Sequence, residues 1–153
     1  MMFDKHLMFS EAQDLSQAAG TYTSTNVVDL GASGTTGAGA TLAGNMGLGE
    51  PVFLSVHVVE AFASGGAATV DVRVIGADNE ALTTNPTTLV STGALAYGTL
   101  TAGARPAAVN TMLPPSAKRY LGISYVIAGA TTTAGTITAG LVTQRQSGGG
   151  VAY

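Results

Sequence analysis

The chain has no cysteine and no tryptophan, and it is short of charge. Without cysteine, disulfides and thiolate chemistry are excluded, and nothing points to a redox compartment. Six Lys plus Arg, scattered among 153 residues, leave no basic footprint for nucleic acid. The net charge is −3 and the pI about 5.1. Charged residues are 10% of the chain, against roughly 25% in an average globular domain. With a mean hydropathy of +0.33, such a chain either spans a membrane or covers much of its surface with partners. No run reaches the roughly 18 apolar residues of a transmembrane helix, because Gly, Thr, Asn or Asp breaks each one. Partners are therefore the favoured reading; a plain surface of Ala, Gly and Thr is the alternative. The opening Met-Met-Phe-Asp-Lys-His has no continuous apolar segment and does not read as a secretory signal.

What is present is a strand grammar. Tyr120 to Ala128 puts Leu121, Ile123, Tyr125 and Ile127 on one side and Tyr120, Gly122, Ser124 and Val126 on the other. Both sides are fairly apolar, so this strand is expected at the centre of a sheet or against another layer. Phe53 to Phe62 directs Leu54, Val56, Val58 and Phe62 one way, and Thr69 to Ile75 alternates Val70, Val72 and Val74 with Asp71 and Arg73. With Ser64-Gly-Gly-Ala between them, these two predict an antiparallel hairpin. Shorter strands are predicted at 25–30, 87–90 and 136–143, with weak or extended segments at 93–100 and 109–113.

Ser10-Glu-Ala-Gln13 fits a capping box for one helical turn; the competing and preferred reading of residues 1–24 is an extended N-terminal arm. Residues 31–49 are mostly Gly, Ala, Ser and Thr and predict a long loop without the large side chains that would order it. Residues 1–146 thus predict one all-β, antiparallel sandwich or barrel domain with an N-terminal arm (about 1–24) and a Gly-rich loop (about 31–49), and 147–153 a flexible tail.

The chemistry-bearing residues are few. His6 and His57 are the only histidines. His57 shares a strand face with Ser55, but no serine stands in a nucleophile elbow, so a hydrolase resting on His57 is disfavoured. Zinc lacks ligands at suitable spacing. Asp78-Asn79-Glu80 gathers oxygens that could meet calcium, yet a turn explains them equally well. The glycines at 34–39 and 47–49 lead into a strand rather than a helix N-terminus, so they do not make a phosphate loop. We expect no enzyme, no cofactor and no metal.

Several motifs in order carry a resemblance: Phe3-Asp-Lys-His-Leu-Met-Phe-Ser-Glu-Ala-Gln13, Val27-Val-Asp-Leu-Gly31, Gly47-Leu-Gly-Glu-Pro51, Lys118-Arg-Tyr-Leu-Gly-Ile-Ser-Tyr, and Ile137-Thr-Ala-Gly-Leu-Val. Together they resemble the capsid cement proteins of tailed bacteriophages, of the Bordetella phage type, over residues 3 to 146. The Gly-rich stretch at 32–46 departs from that pattern in its length. The resemblance implies a jelly-roll fold on the outside of the virion head, made in the bacterial cytoplasm, bridging major capsid protein subunits without catalysis. It also implies a homo-oligomer, with dimers favoured and trimers open.

Low charge suits such an interface, since charged groups are costly to desolvate. An extended arm could add a strand to a neighbour's sheet. Phe3, Asp4, Lys5, Leu7 and Phe9 are accordingly the candidate capsid or intersubunit contacts, with the Gly-rich loop next; core filling is the competing reading for Phe3 and Phe9. The alternative function is a receptor- or carbohydrate-binding sandwich on a phage fibre or surface. It would need exposed aromatics, for which Tyr22, Tyr97 and Tyr153 are the loop candidates.

Overall fold

A computed structural model describes residues 5–32, 34–35, 37–39, 41–42, 51–106, 113–114 and 118–142. The predicted tail at 147–153, most of the predicted extended segment at 109–113 and residues 43–49 of the Gly-rich loop lie outside the described residues. The strands in chain order are β1 (Met8–Asp14), β2 (Gly20–Thr23), β3 (Val28–Asp29), β4 (Gly34–Thr35), β5 (Thr41–Leu42), β6 (Phe53–Ser64), β7 (Thr69–Ala77), β8 (Thr87–Ser91), β9 (Leu95–Ala96), β10 (Tyr120–Ala128) and β11 (Thr132–Val142). Among the described residues the helical pieces are two 3-10 turns, Lys5–Leu7 and Tyr97–Thr99.

Two antiparallel sheets face each other, one ordered β1-β11-β6 and the other β2-β10-β7-β8. β3 extends the β2 edge of β10, and β9 extends the β8 edge of β7. β4 and β5 form a small ribbon of their own, Gly34 opposite Leu42, inside the stretch predicted as a featureless loop. The alternating faces meet in one core. Val70, Val72, Val74, Leu121, Ile123 and Tyr125 from one sheet, with Phe9, Val58 and Ile137 from the other, are all completely buried. Each large apolar side chain so buried contributes about 1.5–3 kcal/mol. As its two-sided pattern predicts, β10 is central, with all nine of its residues paired to β7 and its other edge paired to β2 and β3.

The predicted hairpin of 53–62 with 69–75 does not form. β6 pairs with β11, and β7 pairs with β10 in the opposite sheet. Strands in facing sheets and strands in one hairpin bury the same alternate positions, so periodicity does not separate the two. The chain crosses between sheets in the same way from β1 to β2 and from β10 to β11. These three connections cross between the sheets, while β7, β8, β9 and β10 follow one another within one sheet, which makes an all-β antiparallel sandwich.

The three crossings stack at one end of the molecule. Leu15 N–H donates to the Gly135 carbonyl at 2.9 Å and Thr132 N–H to the Gln17 carbonyl at 3.0 Å, joining the first crossing to the third. Ser64 Oγ donates to the Thr131 carbonyl at 2.8 Å, joining the second to the third. At the middle of this stack Gly129 has φ +84°, and a Cβ there would run into the Ala67 carbonyl oxygen.

Residues 10–13 are extended, as the preferred reading has them, and do not form the helical turn. Its Ser–Gln pair does interact, Ser10 Oγ donating to Gln13 Oε1 at 2.6 Å, but inside a bulged strand rather than a helix cap. β1 is interrupted between Ser10 and Gln13, where Ala12 takes φ +46°. The predicted strand at 25–30 shrinks to β3, because Asn26 N–H turns away to donate to the Phe9 carbonyl.

Replacing Gly129 by Ala is expected to cost roughly 3 kcal/mol, through left-handed strain and the backbone clash together. Urea denaturation should show it as a lower midpoint with an unchanged slope. An unaffected midpoint would mean that the crossings do not stack as described.

Candidate functional site

The N-terminal residues are not a free arm from Met8 onward: β1 is hydrogen-bonded along β11. Of the five candidate contacts, Phe3 and Asp4 lie outside the described residues. Phe9 is fully buried and fills the core, so it is not available as a surface contact. Leu7 is half-buried and packs on the same core. Lys5 is exposed, on the 3-10 turn. The sequence groups these residues by position, but the structure divides them between core and surface.

β1 is tied to the opposite sheet by a chain of hydrogen bonds. The Tyr125 hydroxyl, directed inward from β10, donates to Ser10 Oγ at 2.8 Å. Ser10 passes on to Gln13 Oε1, and the Gln13 amide donates to the Thr23 carbonyl at 2.9 Å while accepting from Thr25 N–H at 3.1 Å. Burial pushes the Tyr125 hydroxyl's pKa up, so it stays a neutral donor.

Beside this corner lies a groove of about 540 Å³ lined by Lys5, His6, Met8, the 23–27 segment and Glu80 to Leu82. Its far wall is a strap, residues 78–86, lying across the outer face of β10. Leu82, at φ +57°, is buried where Gly122 has no side chain, and a Cβ on Gly122 would strike the leucine. A second cavity of about 360 Å³ opens on the other side of Leu82, between Thr21, Ile75, Pro86 and Ser124. Asn79 holds the strap's turn by accepting from Thr83 and Thr84 N–H. The sequence signal for this contact is a glycine within a strand of bulky residues, which marks close approach of another segment.

The Asp78-Asn79-Glu80 cluster is accounted for by that turn. Asp78 accepts from Lys118 Nζ at 2.9 Å and from Asn85 Nδ2 at 2.9 Å, which occupies both carboxylate oxygens. Among the described residues no three His, Asp or Glu side chains converge as a metal site would need. His57 stands half-buried on the outer face of β6 in register with Thr138. Tyr22 and Tyr97 pack partly against the core, and Tyr153 lies outside the described residues. The exposed aromatic platform that carbohydrate binding would use is absent among the described residues.

Two ion pairs, Asp29 with Arg119 and Asp78 with Lys118, sit at the strap end of the sandwich. Arg119 grips Asp29 through two bonds of 2.8 Å and lies over the Tyr120 ring at 4.8 Å. This guanidinium, helped by Gly31 N–H, lowers the Asp29 pKa to about 2. On the outer face of β7, burial raises the Asp71 pKa, but bonds from Arg73, Ser91 and Thr92 outweigh it and leave it lowered.

The family model described as Bbp16 matches residues 9–141. No curated protein matches the chain. The matched span opens in β1 and closes in β11, so it takes in the whole sandwich.

Two outcomes test this description. Ser10→Ala leaves the Tyr125 hydroxyl buried without its acceptor and should cost about 1–3 kcal/mol, whereas Tyr125→Phe should cost only about 1 kcal/mol; equal losses in urea denaturation would contradict the chain of bonds. For Asp29 the folded pKa is the depressed one. Its contribution is therefore complete above about pH 4 and disappears as pH falls through about 2. In a stability–pH series, Asp29→Asn should flatten that acid limb, and about 1 M salt should shrink the difference between the proteins.

Proposed function

The chain belongs to the Bbp16 family, and on that footing we propose that it is a structural protein of a tailed-phage particle, seated on the outer surface of the capsid. There it cements neighbouring major capsid protein subunits. The observation that carries this reading is the family match across the whole sandwich, under a name that suggests a Bordetella phage product. The resemblance of the motifs to capsid cement proteins points the same way.

The physical character of the molecule supports it. Several of its polar groups are spent on internal bonds: Asp78 on Lys118 and Asn85, Asp71 on Arg73, Ser10 on Gln13. A charge-poor surface of Thr, Ser, Ala and Gly can be covered by a partner with little desolvation cost. The rigid part is a two-sheet sandwich closed at one end by three stacked crossings, well suited to pass load between subunits. Cementing needs no tight single contact. Copies repeated on a lattice and bound as homo-oligomers hold through many modest interactions, because each further contact forms at high effective concentration. Catalysis and cofactors play no part in this mechanism, and the protein is made in the bacterial cytoplasm before it joins the head.

The experiment compares DNA-filled heads with and without the protein. Heads lacking it should release DNA at a lower temperature, and adding the purified chain should restore the difference. Heads that melt identically, or purified chain that fails to sediment with them, would remove the proposal.

A further inference from the structure

The strap at 78–86 joins β7 to β8 and is stitched mostly to itself. Asp78 N–H donates to the Thr84 carbonyl at 3.0 Å, and Leu82 N–H to the Asn79 carbonyl at 3.1 Å. Asn79 Nδ2 also donates to Thr83 Oγ1 at 2.9 Å, and Asn85 reaches back to the Asp78 carboxylate. With its ends close and its bonds turned inward, the segment is a compact unit of the Ω-loop kind.

Its hold on the sandwich is much thinner. Along the strap Leu82 alone is buried, Asn79 is half-buried and the others are exposed. Among the described residues, the hydrogen bond that ties the strap to the rest of the molecule runs from Lys118 Nζ to Asp78, an ion pair open to solvent. Such a pair adds little. Against it stand two left-handed residues, Leu82 at φ +57° and Asn85 at φ +46°, a conformation that side chains disfavour. Strain of this kind persists only where the surroundings impose it. Here a single leucine does so, seated over Gly122.

The cavities show what that leucine divides. Ala81 and Leu82 line both the groove of about 540 Å³ and the cavity of about 360 Å³, and Thr23 faces both from β2. The two strap residues are thus a partition across one trough, above Gly122 and beside Ser124 of β10.

We infer that the strap is a hinged latch. It swings off β10 as one unit about its roots at Ala77 and Thr87, draws Leu82 out of the Gly122 notch and joins the two cavities into a single cleft. The motion breaks none of the strap's internal bonds and none of the ladder bonds beneath it. What is given up is the burial of one leucine and the Lys118 pair; what is gained is relief of the strain at Asn85 beside the β8 root. Local opening of this kind lies below global unfolding in free energy. The inference concerns the chain by itself and does not rest on the capsid reading.

Because the chain has no cysteine, one introduced thiol reports the opening. Ser124 lies on the cleft floor at 8% exposure, and Ala139 in the core at 0%. Ser124→Cys should react with a bulky maleimide at least about a hundredfold faster than Ala139→Cys, which waits for global unfolding. Its rate should barely respond to low urea, since little surface opens. Ile75→Cys, in the same cavity, should follow Ser124→Cys. Two further changes act from opposite sides of the notch. Leu82→Ala removes the plug, and Gly122→Ala pushes it out with a Cβ; each should speed labelling by about tenfold. In a cavity that is simply open, the added Cβ would narrow access and slow the reaction. Labelling of Ser124→Cys and Ile75→Cys no faster than Ala139→Cys overturns the latch, as does labelling that Gly122→Ala slows or that Leu82→Ala leaves unchanged.

Discussion

A phenol hydroxyl placed between two sheets, with no water to receive its proton, has to find an acceptor on the facing layer. Tyr125 finds Ser10, and much of the architecture follows from that bond. Ser10 can turn inward beside Phe9 only if β1 breaks its alternation, and the register shifts between Met8 and Ser10; a second shift, before Gln13, takes in Ala12 in a left-handed conformation. The bulge frees Gln13 to reach the 23–25 segment, which closes the corner between β1 and β2. A single buried polar group therefore fixes how the first strand enters the fold and seals one edge of the sandwich.

The rest of the stability comes from a division of labour between side chains and backbone. The apolar faces supply the burial, but the three crossings are held mainly by backbone carbonyls and small hydroxyls, such as those from Leu15 to Gly135 and from Ser64 to Thr131. A chain with so few long charged side chains has to close its ends in this way. The ion pairs Asp29–Arg119 and Asp78–Lys118 gather at the opposite end, around the strap, where screening by water limits what each contributes.

Much of the fold could be read from residue order, and its limits are instructive. β10 was legible because both of its faces are apolar, and the inward valines of β7 because Asp71 and Arg73 alternate with them. The placing of β6 and β7 in opposite sheets was not legible, since a hairpin and a crossing bury the same alternate residues. Ser10 and Gln13 do seek each other, but only the tertiary demand of Tyr125 decides that they meet in a bulge. At the candidate site, Phe9 and Lys5 look equivalent in sequence and differ wholly in burial. Gly122 carried the trace of the strap, yet nothing local names Leu82 as the side chain that would fill its space.

The register of β1 on β11 has a mechanical consequence. The strand that enters the sandwich and the strand that leaves it lie side by side, with Met8 opposite Gly140. Tension applied through these two strands toward the end where they meet would load their ladder bonds one after another, like a zipper, and not all at once in shear. A load carried through this molecule would therefore be borne better across its sheets than through these two strands.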